Sequence, residues 1–259
     1  MSDPLAVIAR LPGVPEAVDA AREAVDRLYR HRVLRRASPA VSTESSLRGA
    51  RASAALAGVD VTLDALRGDE AHDPVVQGAL RASAELGRLG PTWRKAPRQV
   101  LARLHTVAAA GLTGQEALGR PRTDDTAPDP LGLGPAPSAE ETAARMESLF
   151  QLMDGPGKAP ALVLAAIVHA ELAVLRPFGT ADGVVARAAE RLTLVEYGLD
   201  PKSLVAVEVG HLELPYAEGL RAYLSGTPEG VAQWIQQCAS AVSLGVREAA
   251  AICEAMQRG

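Results

Sequence analysis

One apolar run constrains the fold of this 259-residue chain more than any other feature. The run, Ala161–Leu175, is shorter than the ~18 residues needed to span a bilayer, and it carries His169 and Glu171. A segment that is apolar on every face predicts a helix buried at the centre of a protein. The rest of the chain must then supply the elements that cover it.

Apolar residues elsewhere recur at helical spacing, and no segment alternates as a strand would. Ser138 and Glu141 have the spacing of a capping box, and Gly58 suits a left-handed helix end. Proline and glycine predict an irregular flap or linker at residues 119–138. We therefore expect an all-α protein with a single core. The predicted helices are Pro15–Arg35, Val41–Leu56, Val75–Leu89, Pro97–Ala110, one after Ser138, one from Pro160, Gly183–Tyr197 and one from Pro228.

Charge and cysteine content exclude several classes of protein. The net charge of -4 argues against a partner made of nucleic acid. The N-terminal stretch lacks the basic start and the long apolar run of a secretory signal, so we expect a cytoplasmic protein with no membrane partner. Cys238 and Cys253 stand ~22 Å apart on one predicted helix, too far for a disulfide. The chain has no cysteine and histidine spacing typical of zinc sites, so no metal is expected.

A turn of small residues follows the apolar run. The segment Arg176–Arg187 reads RPFGTADGVVAR, and such a turn at a helix start can hold an anion on its backbone N–H groups. Gly179, Ala181 and Gly183 would allow close approach, and Arg176 and Arg187 would supply positive charge. Alternatively, both arginines tie down neighbouring helices through carboxylates or helix C-termini.

This segment resembles the signature of Fic (Fido) proteins, H-P-F-x-[D/E]-G-N-G-R-x-x-R, at Pro177, Phe178, Gly183 and Arg187. The resemblance covers roughly Pro97–Val246 and implies a Fido-like helical bundle. It divides the chain into an N-terminal helical region, 1–95, and a core, 96–259. Four further features are similar to the family: His169 seven positions before the motif, Arg145–Leu149, Leu104–His105 and Trp234–Ile235.

The resemblance implies a reaction whose residues have been replaced. In active Fic proteins the motif histidine deprotonates a hydroxyl that attacks the α-phosphate of ATP. Arg176 stands at that position, and a guanidinium stays protonated near neutral pH. Thr180 replaces the acidic magnesium ligand, Asp182 replaces a phosphate-binding asparagine, and Val184 replaces an arginine. We therefore expect no catalytic residue and no cofactor, with Arg176, Thr180 and Asp182 as a vestigial motif.

An upstream stretch is similar to the inhibitory motif S-S-x-I-E-G of some Fic proteins. Ser53 and Gly58 match its outline, and Ala57 stands where the inhibitory glutamate would be. We interpret this stretch as the relic of an inhibitory helix. It should pack beside the turn from Gly179 to Arg187.

These features predict a degenerate Fic-domain protein that serves as a non-catalytic binding or regulatory module for a protein partner. The alternative is an AMP transferase, or an enzyme for another phosphorylated ligand, with altered catalytic residues; it would need ATP and magnesium. His105 and His169 are interpreted as core histidines rather than bases. Asp124 and Asp125 are interpreted as a solvated loop rather than a metal pair.

Overall fold

A computed structural model describes residues 3–155 and 159–258, and helices are the regular elements of these residues. The predicted all-α fold is confirmed. The helices are α1 Pro4–Ile8, α2 Val14–Tyr29, α3 Leu34–Leu56, α4 Leu63–Arg67, α5 Pro74–Trp93, α6 Pro97–Ala108, α7 Ala139–Asp154, α8 Ala161–Leu175, α9 Asp182–Glu196, α10 Val207–Glu213, α11 Tyr216–Leu224 and α12 Pro228–Arg258.

Helix α8 lies at the centre of the molecule, as its apolar sequence predicts. Every residue from Leu162 to Leu175 is buried. The helix packs against α9, α12, α7 and α11. Because even its polar residues His169 and Glu171 are buried, they must find partners on the helices around them.

Two helix ends follow from local sequence chemistry. At the start of α7, the Glu141 N–H donates to Ser138 Oγ at 3.2 Å, and the Ser138 N–H donates to Glu141 Oε2 at 3.1 Å. At the end of α3, Gly58 has a φ of +95°, and the Val59 N–H donates to the carbonyl of Ala54 at 3.0 Å. The predicted capping box and glycine helix end are both confirmed.

The prediction of one helix over Pro15–Arg35 was wrong. Helix α2 ends at Tyr29 and α3 begins at Leu34, because the chain turns between them. There the Val33 N–H donates to His31 Nδ1 at 3.3 Å, a local bond that competes with helix continuation. Helix α3 is kinked at Ala37, two residues before a proline that lacks an N–H.

The helices from both halves of the chain share one core. Helix α12 packs along α2, α10 and α11, and α5 packs against α3, α6 and α9. Their buried apolar residues form a single cluster. The division into residues 1–95 and 96–259 stays a prediction.

Two predictions about cysteine and membranes can be compared with the fold. Cys238 and Cys253 are both buried and free, as predicted from their separation. None of the described helices combines the length and the apolar character that crossing a bilayer requires.

Candidate functional site

The motif turn joins the end of α8 to the start of α9. Three of its residues have left-handed backbone conformations: Arg176 at φ +50°, Gly179 at +73° and Ala181 at +54°. Side chains disfavour this region, so Arg176 and Ala181 hold it only because their surroundings fix them. The turn is therefore a rigid, specified structure rather than a loose connection.

Asp182 fastens the turn from inside. Its Oδ1 accepts the Phe178 N–H at 2.9 Å, and the carboxyl group is buried. Burial raises the pKa of Asp182 to about 7, although the backbone N–H groups of Phe178 and Gly179 act in the opposite direction. The carboxyl group of Asp182 thus already accepts hydrogen bonds from backbone N–H groups that we expected to bind an external anion.

The raised pKa predicts a pH-dependent stability difference between the protein and its Asp182→Asn variant. The native state of the protein binds a proton at Asp182 more tightly than the unfolded state. The stability contributed by that proton is complete below the unfolded pKa of 3.8 and is lost as pH rises through about 7. Asparagine can accept the same N–H without titrating. Relative to that of the protein, the free energy of unfolding of the variant should therefore rise by about 4 kcal/mol between pH 4 and pH 8.

Urea unfolding at several pH values measures this difference. Asp129→Asn is the control, because the backbone N–H groups of Leu133 and Gly134 and the nearby Arg176 lower the pKa of the Asp129 carboxyl against the effect of desolvation. The difference in the free energy of unfolding between Asp129→Asn and the protein should stay constant from pH 5 to pH 8. A constant difference for Asp182→Asn as well would contradict the raised pKa.

Arg176 fastens residues of the predicted flap to the motif turn. Its guanidinium donates to the carbonyls of Pro128 at 3.1 Å and Gly134 at 2.7 Å. It also lies 3.2 Å from Asp129 Oδ1. The side chain is buried, so these contacts occupy the guanidinium inside the protein. Arg176 therefore holds an irregular segment in place.

Arg122 completes the attachment of that segment, although no sequence pattern predicts this role. Its N–H donates to the carbonyl of Pro177 at 2.8 Å, and its Nε donates to the carbonyl of Arg176 at 3.0 Å. Its guanidinium also reaches Thr142 Oγ1 on α7 at 2.7 Å. No helical periodicity marks Arg122, because it lies among prolines and glycines.

Arg187 on α9 binds the last turn of α3. Its Nε donates to Ser53 Oγ at 2.9 Å, and its Nη2 donates to the Ser53 carbonyl at 2.8 Å. The guanidinium is buried and also lies 3.4 Å from the Tyr216 hydroxyl. The predicted packing of the Ser53–Gly58 stretch beside the motif turn is thus present. Its role as an inhibitory relic stays a prediction.

A cavity of about 400 Å³ lies between the motif turn, the flap and the end of α3. Ala57 and Arg187 both line it, as do Thr180 and Asp182. The remaining walls are mostly apolar, formed by residues such as Leu56, Val75, Leu131, Leu133 and Val184. The volume of the cavity falls within the range of small-molecule sites. Its mostly apolar walls favour a ligand with a large apolar part over a highly charged ligand.

Residues 96–194 match the protein-family model described as the Fic/DOC family. This segment, well under half of the chain, is therefore similar to the Fic/DOC family. The matched segment contains the whole motif turn, the flap, helices α6 to α8 and most of α9, and thus most residues that line the cavity. No curated protein matches the chain.

Solved structures of Fic proteins share the fold of nearly the whole chain. A Fic family protein from Desulfovibrio desulfuricans G20 superposes with a TM-score of 0.76 at 20% identity, over 93% of this chain and 75% of that protein. Fic-1 from C. elegans gives a TM-score of 0.72 at 16% identity, over 93% of this chain and 73% of that one. The all-α Fido-like fold therefore extends into the helices before residue 96.

Three remaining sequence candidates lie within the matched segment but do not line the cavity. His105 is buried and stacks on Phe178 with ring centroids 4.2 Å apart, and burial lowers its pKa to about 4. Asp124 and Asp125 are exposed, and Asp125 accepts the Ala139 N–H at the start of α7. The structural interpretations of these three residues are therefore supported. Whether Gly179, Ala181, Gly183 and Arg187 hold an anion stays a prediction.

Proposed function

We propose that this Fic-domain protein does not transfer AMP and instead acts as a binding or regulatory module. The observation that carries the proposal is the position of Arg176. It stands where the resemblance places a general base, and its guanidinium is bonded to Pro128, Asp129 and Gly134. A group that is always protonated cannot accept a proton from a target hydroxyl.

The surroundings of the turn support a second part of the proposal, the absence of ATP and magnesium as cofactors. Asp182 places a carboxyl group on the turn where phosphate oxygens would approach. Thr180 offers a neutral hydroxyl where magnesium prefers carboxylates. Arg187 is the motif arginine that remains, and its donors already bind Ser53 and Tyr216. A triphosphate would have to displace these internal bonds.

The proposal predicts that the protein will not label itself or lysate proteins with AMP. The test incubates the purified full chain with magnesium and ATP labelled on the α-phosphate, and an active Fic enzyme assayed in parallel shows that the conditions permit transfer. We expect labelling no higher than without protein, because the base and the metal ligand are both replaced. Transfer of label that depends on the protein would contradict the proposal.

A second candidate function is AMP transfer with Asp182 as a substitute base. The observation in its favour is a pKa of about 7 for a carboxyl group that lines the cavity, since catalytic groups are often perturbed toward neutrality. In that reaction Asp182 takes the proton of the attacking hydroxyl. The oxygen of that hydroxyl then bonds to the α-phosphorus while the bond from the α-phosphorus to pyrophosphate breaks.

Asp182→Asn separates the two candidates in the same assay. Labelling by the protein that disappears in this variant, while Asp129→Asn retains it, would favour the enzyme. Absence of labelling in all three proteins would favour the binding module.

The proposed partner of the module is a protein. The Fido-like scaffold is retained over 93% of the chain, whereas the groups for transfer chemistry are replaced, so its surfaces rather than its chemistry would carry the role. Isolation of crosslinked complexes from native cells, with a surface-matched unrelated protein as the control, tests this part. Recovery of the chain without any other protein crosslinked to it would count against a protein partner.

A further inference from the structure

Two histidines and one glutamate meet in the core, and none of the three lines the motif cavity. His169 Nδ1 lies 2.6 Å from Glu190 Oε2, and His211 Nε2 lies 2.8 Å from the same oxygen. The three side chains come from α8, α9 and α10, and each is fully buried. One ligand atom from each lies within 4.8 Å of the others. Three donors therefore converge from three separate helices.

The protein's own hydrogen bonds leave this cluster incomplete. Glu190 Oε1 and His211 Nδ1 are buried and meet no hydrogen-bond partner at hydrogen-bonding distance and angle. The buried Cys238 thiol is a further polar group beside Glu190, and burial together with that carboxylate raises the pKa of the thiol. An unpartnered buried polar atom is costly, and a carboxylate without a nearby cation is costlier still. In a native core such orphaned atoms call for an explanation. A ligand that uses the second carboxylate oxygen would supply one.

We propose that His169, Glu190 and His211 bind a divalent transition-metal ion, and that zinc is the metal they fit best. Imidazole nitrogens and a carboxylate are established zinc ligands, and imidazole disfavours magnesium and calcium. The ligand atoms are His169 Nδ1, His211 Nε2 and one carboxylate oxygen of Glu190, which gives three protein donors; a water molecule would complete four-coordination. The site rests on geometry alone and does not depend on the proposed function of the cavity.

Metal binding would require the three donors to rearrange. Ligand atoms 2.0–2.1 Å from a tetrahedral ion are ~3.3 Å apart, so the two nitrogen contacts of Glu190 Oε2, at 2.6 and 2.8 Å, would open. The two ring nitrogens, which lie within 4.8 Å of each other, would have to reach the same spacing. The outer ring nitrogen of His169 already lies 2.7 Å from the Tyr216 hydroxyl. A bond of this kind orients metal-binding histidines and fixes their tautomer.

The site would be structural, because all three ligands are inaccessible to solvent. An ion there joins α8, α9 and α10, and Glu190 lies one helical turn beyond the motif residue Arg187. Trp234 of α12 covers the cluster, with its ring 5.2 Å from that of His169 and 5.7 Å from that of His211. Bound metal would therefore add to the stability of the native fold without touching a substrate.

Metal content after refolding tests the proposal. The full chain is stripped with a chelator in guanidinium, refolded with or without zinc sulfate, and separated from free metal by gel filtration. We expect one zinc ion per chain, and a thermal midpoint that rises with free zinc because zinc binds the native state. Cobalt in place of zinc should give the visible absorption of four-coordinate Co²⁺. The proposal is overturned if the refolded chain contains no zinc and its thermal midpoint does not change with the concentration of free zinc.

Matched variants identify the ligands. Glu190→Gln keeps the size of the side chain and should weaken zinc binding at least ~100-fold. Glu208→Gln changes a buried glutamate of α10 outside the cluster and should retain the ion. Removing the histidines outside the core, with His31→Gln and His72→Gln, should change nothing. Should Glu190→Gln fail to fold, the cobalt spectrum of the His31→Gln/His72→Gln protein decides, because loss of that spectrum places the metal on the surface and overturns the proposal.

Discussion

Replacing Trp234 with alanine is expected to lower the free energy of unfolding by about 3–5 kcal/mol. The side chain is fully buried and packs against the rings of His169, His211 and Tyr216. Its Nε1 donates to the carbonyl of Ala166 on α8 at 2.8 Å. Truncation removes both the packing and the hydrogen bond. The loss is large because the neighbouring helices cannot collapse fully into the space that the side chain leaves. Urea unfolding followed by circular dichroism measures the loss.

Trp234→Phe separates the two contributions. Phenylalanine keeps an aromatic ring in the site but cannot donate to Ala166. We expect the loss to be smaller, about 1–3 kcal/mol, because the ring retains part of the packing while the indole hydrogen bond to Ala166 is lost. Equal losses for the alanine and phenylalanine variants would contradict the packing argument.

Replacing Gly210 with alanine is expected to cost about 1–3 kcal/mol or more, although the change adds a single methyl group. A Cβ at this position would lie 2.2 Å from the carbonyl oxygen of Ala241 and 2.5 Å from its Cα. Both are backbone atoms of α12, so α10 and α12 would have to move apart. The shift would displace the adjacent His211 as well. Urea unfolding gives the stability, and the ring signals of His211 in a proton NMR spectrum report the displacement.

Gly87→Ala is the control with the opposite expected sign. Gly87 is exposed within α5, and a Cβ there would meet nothing within 4 Å. Alanine should stabilise the helix by about 0.5–1 kcal/mol. If both variants change stability in the same direction, intrinsic helix propensity dominates and the close approach of α10 to α12 has no energetic weight.

The fold was predictable wherever local sequence chemistry acts alone. The apolar run of α8, the capping box at Ser138 and the glycine at the end of α3 each determine a helix or its boundary within a few residues. The break between α2 and α3 was missed because residues 30–33 contain no proline or glycine to mark it. Helices α10 and α11 are too short for a period to stand out, and the buried Glu208 and His211 interrupt the apolar pattern of α10.

The site was predictable only as far as the motif extends. The resemblance identified the turn and the packing of the Ser53–Gly58 stretch against it. It could not identify Arg122 as the residue that anchors the flap, because that contact depends on tertiary structure. The partners of His169 were missed for the same reason, since Glu190 and Tyr216 lie 21 and 47 positions away. Neither spacing corresponds to a recognisable metal or catalytic signature.

The contacts of Arg176 have a consequence for engineering. An imidazole at this position would be too short to reach Pro128, Asp129 and Gly134 together, so Arg176→His would release the segment that the guanidinium now anchors. Placing at position 176 the histidine that the resemblance implies for active Fic proteins would therefore loosen the architecture around it. A designer who wants adenylyl transfer from this scaffold must first give that segment a different anchor, and only then exchange the arginine.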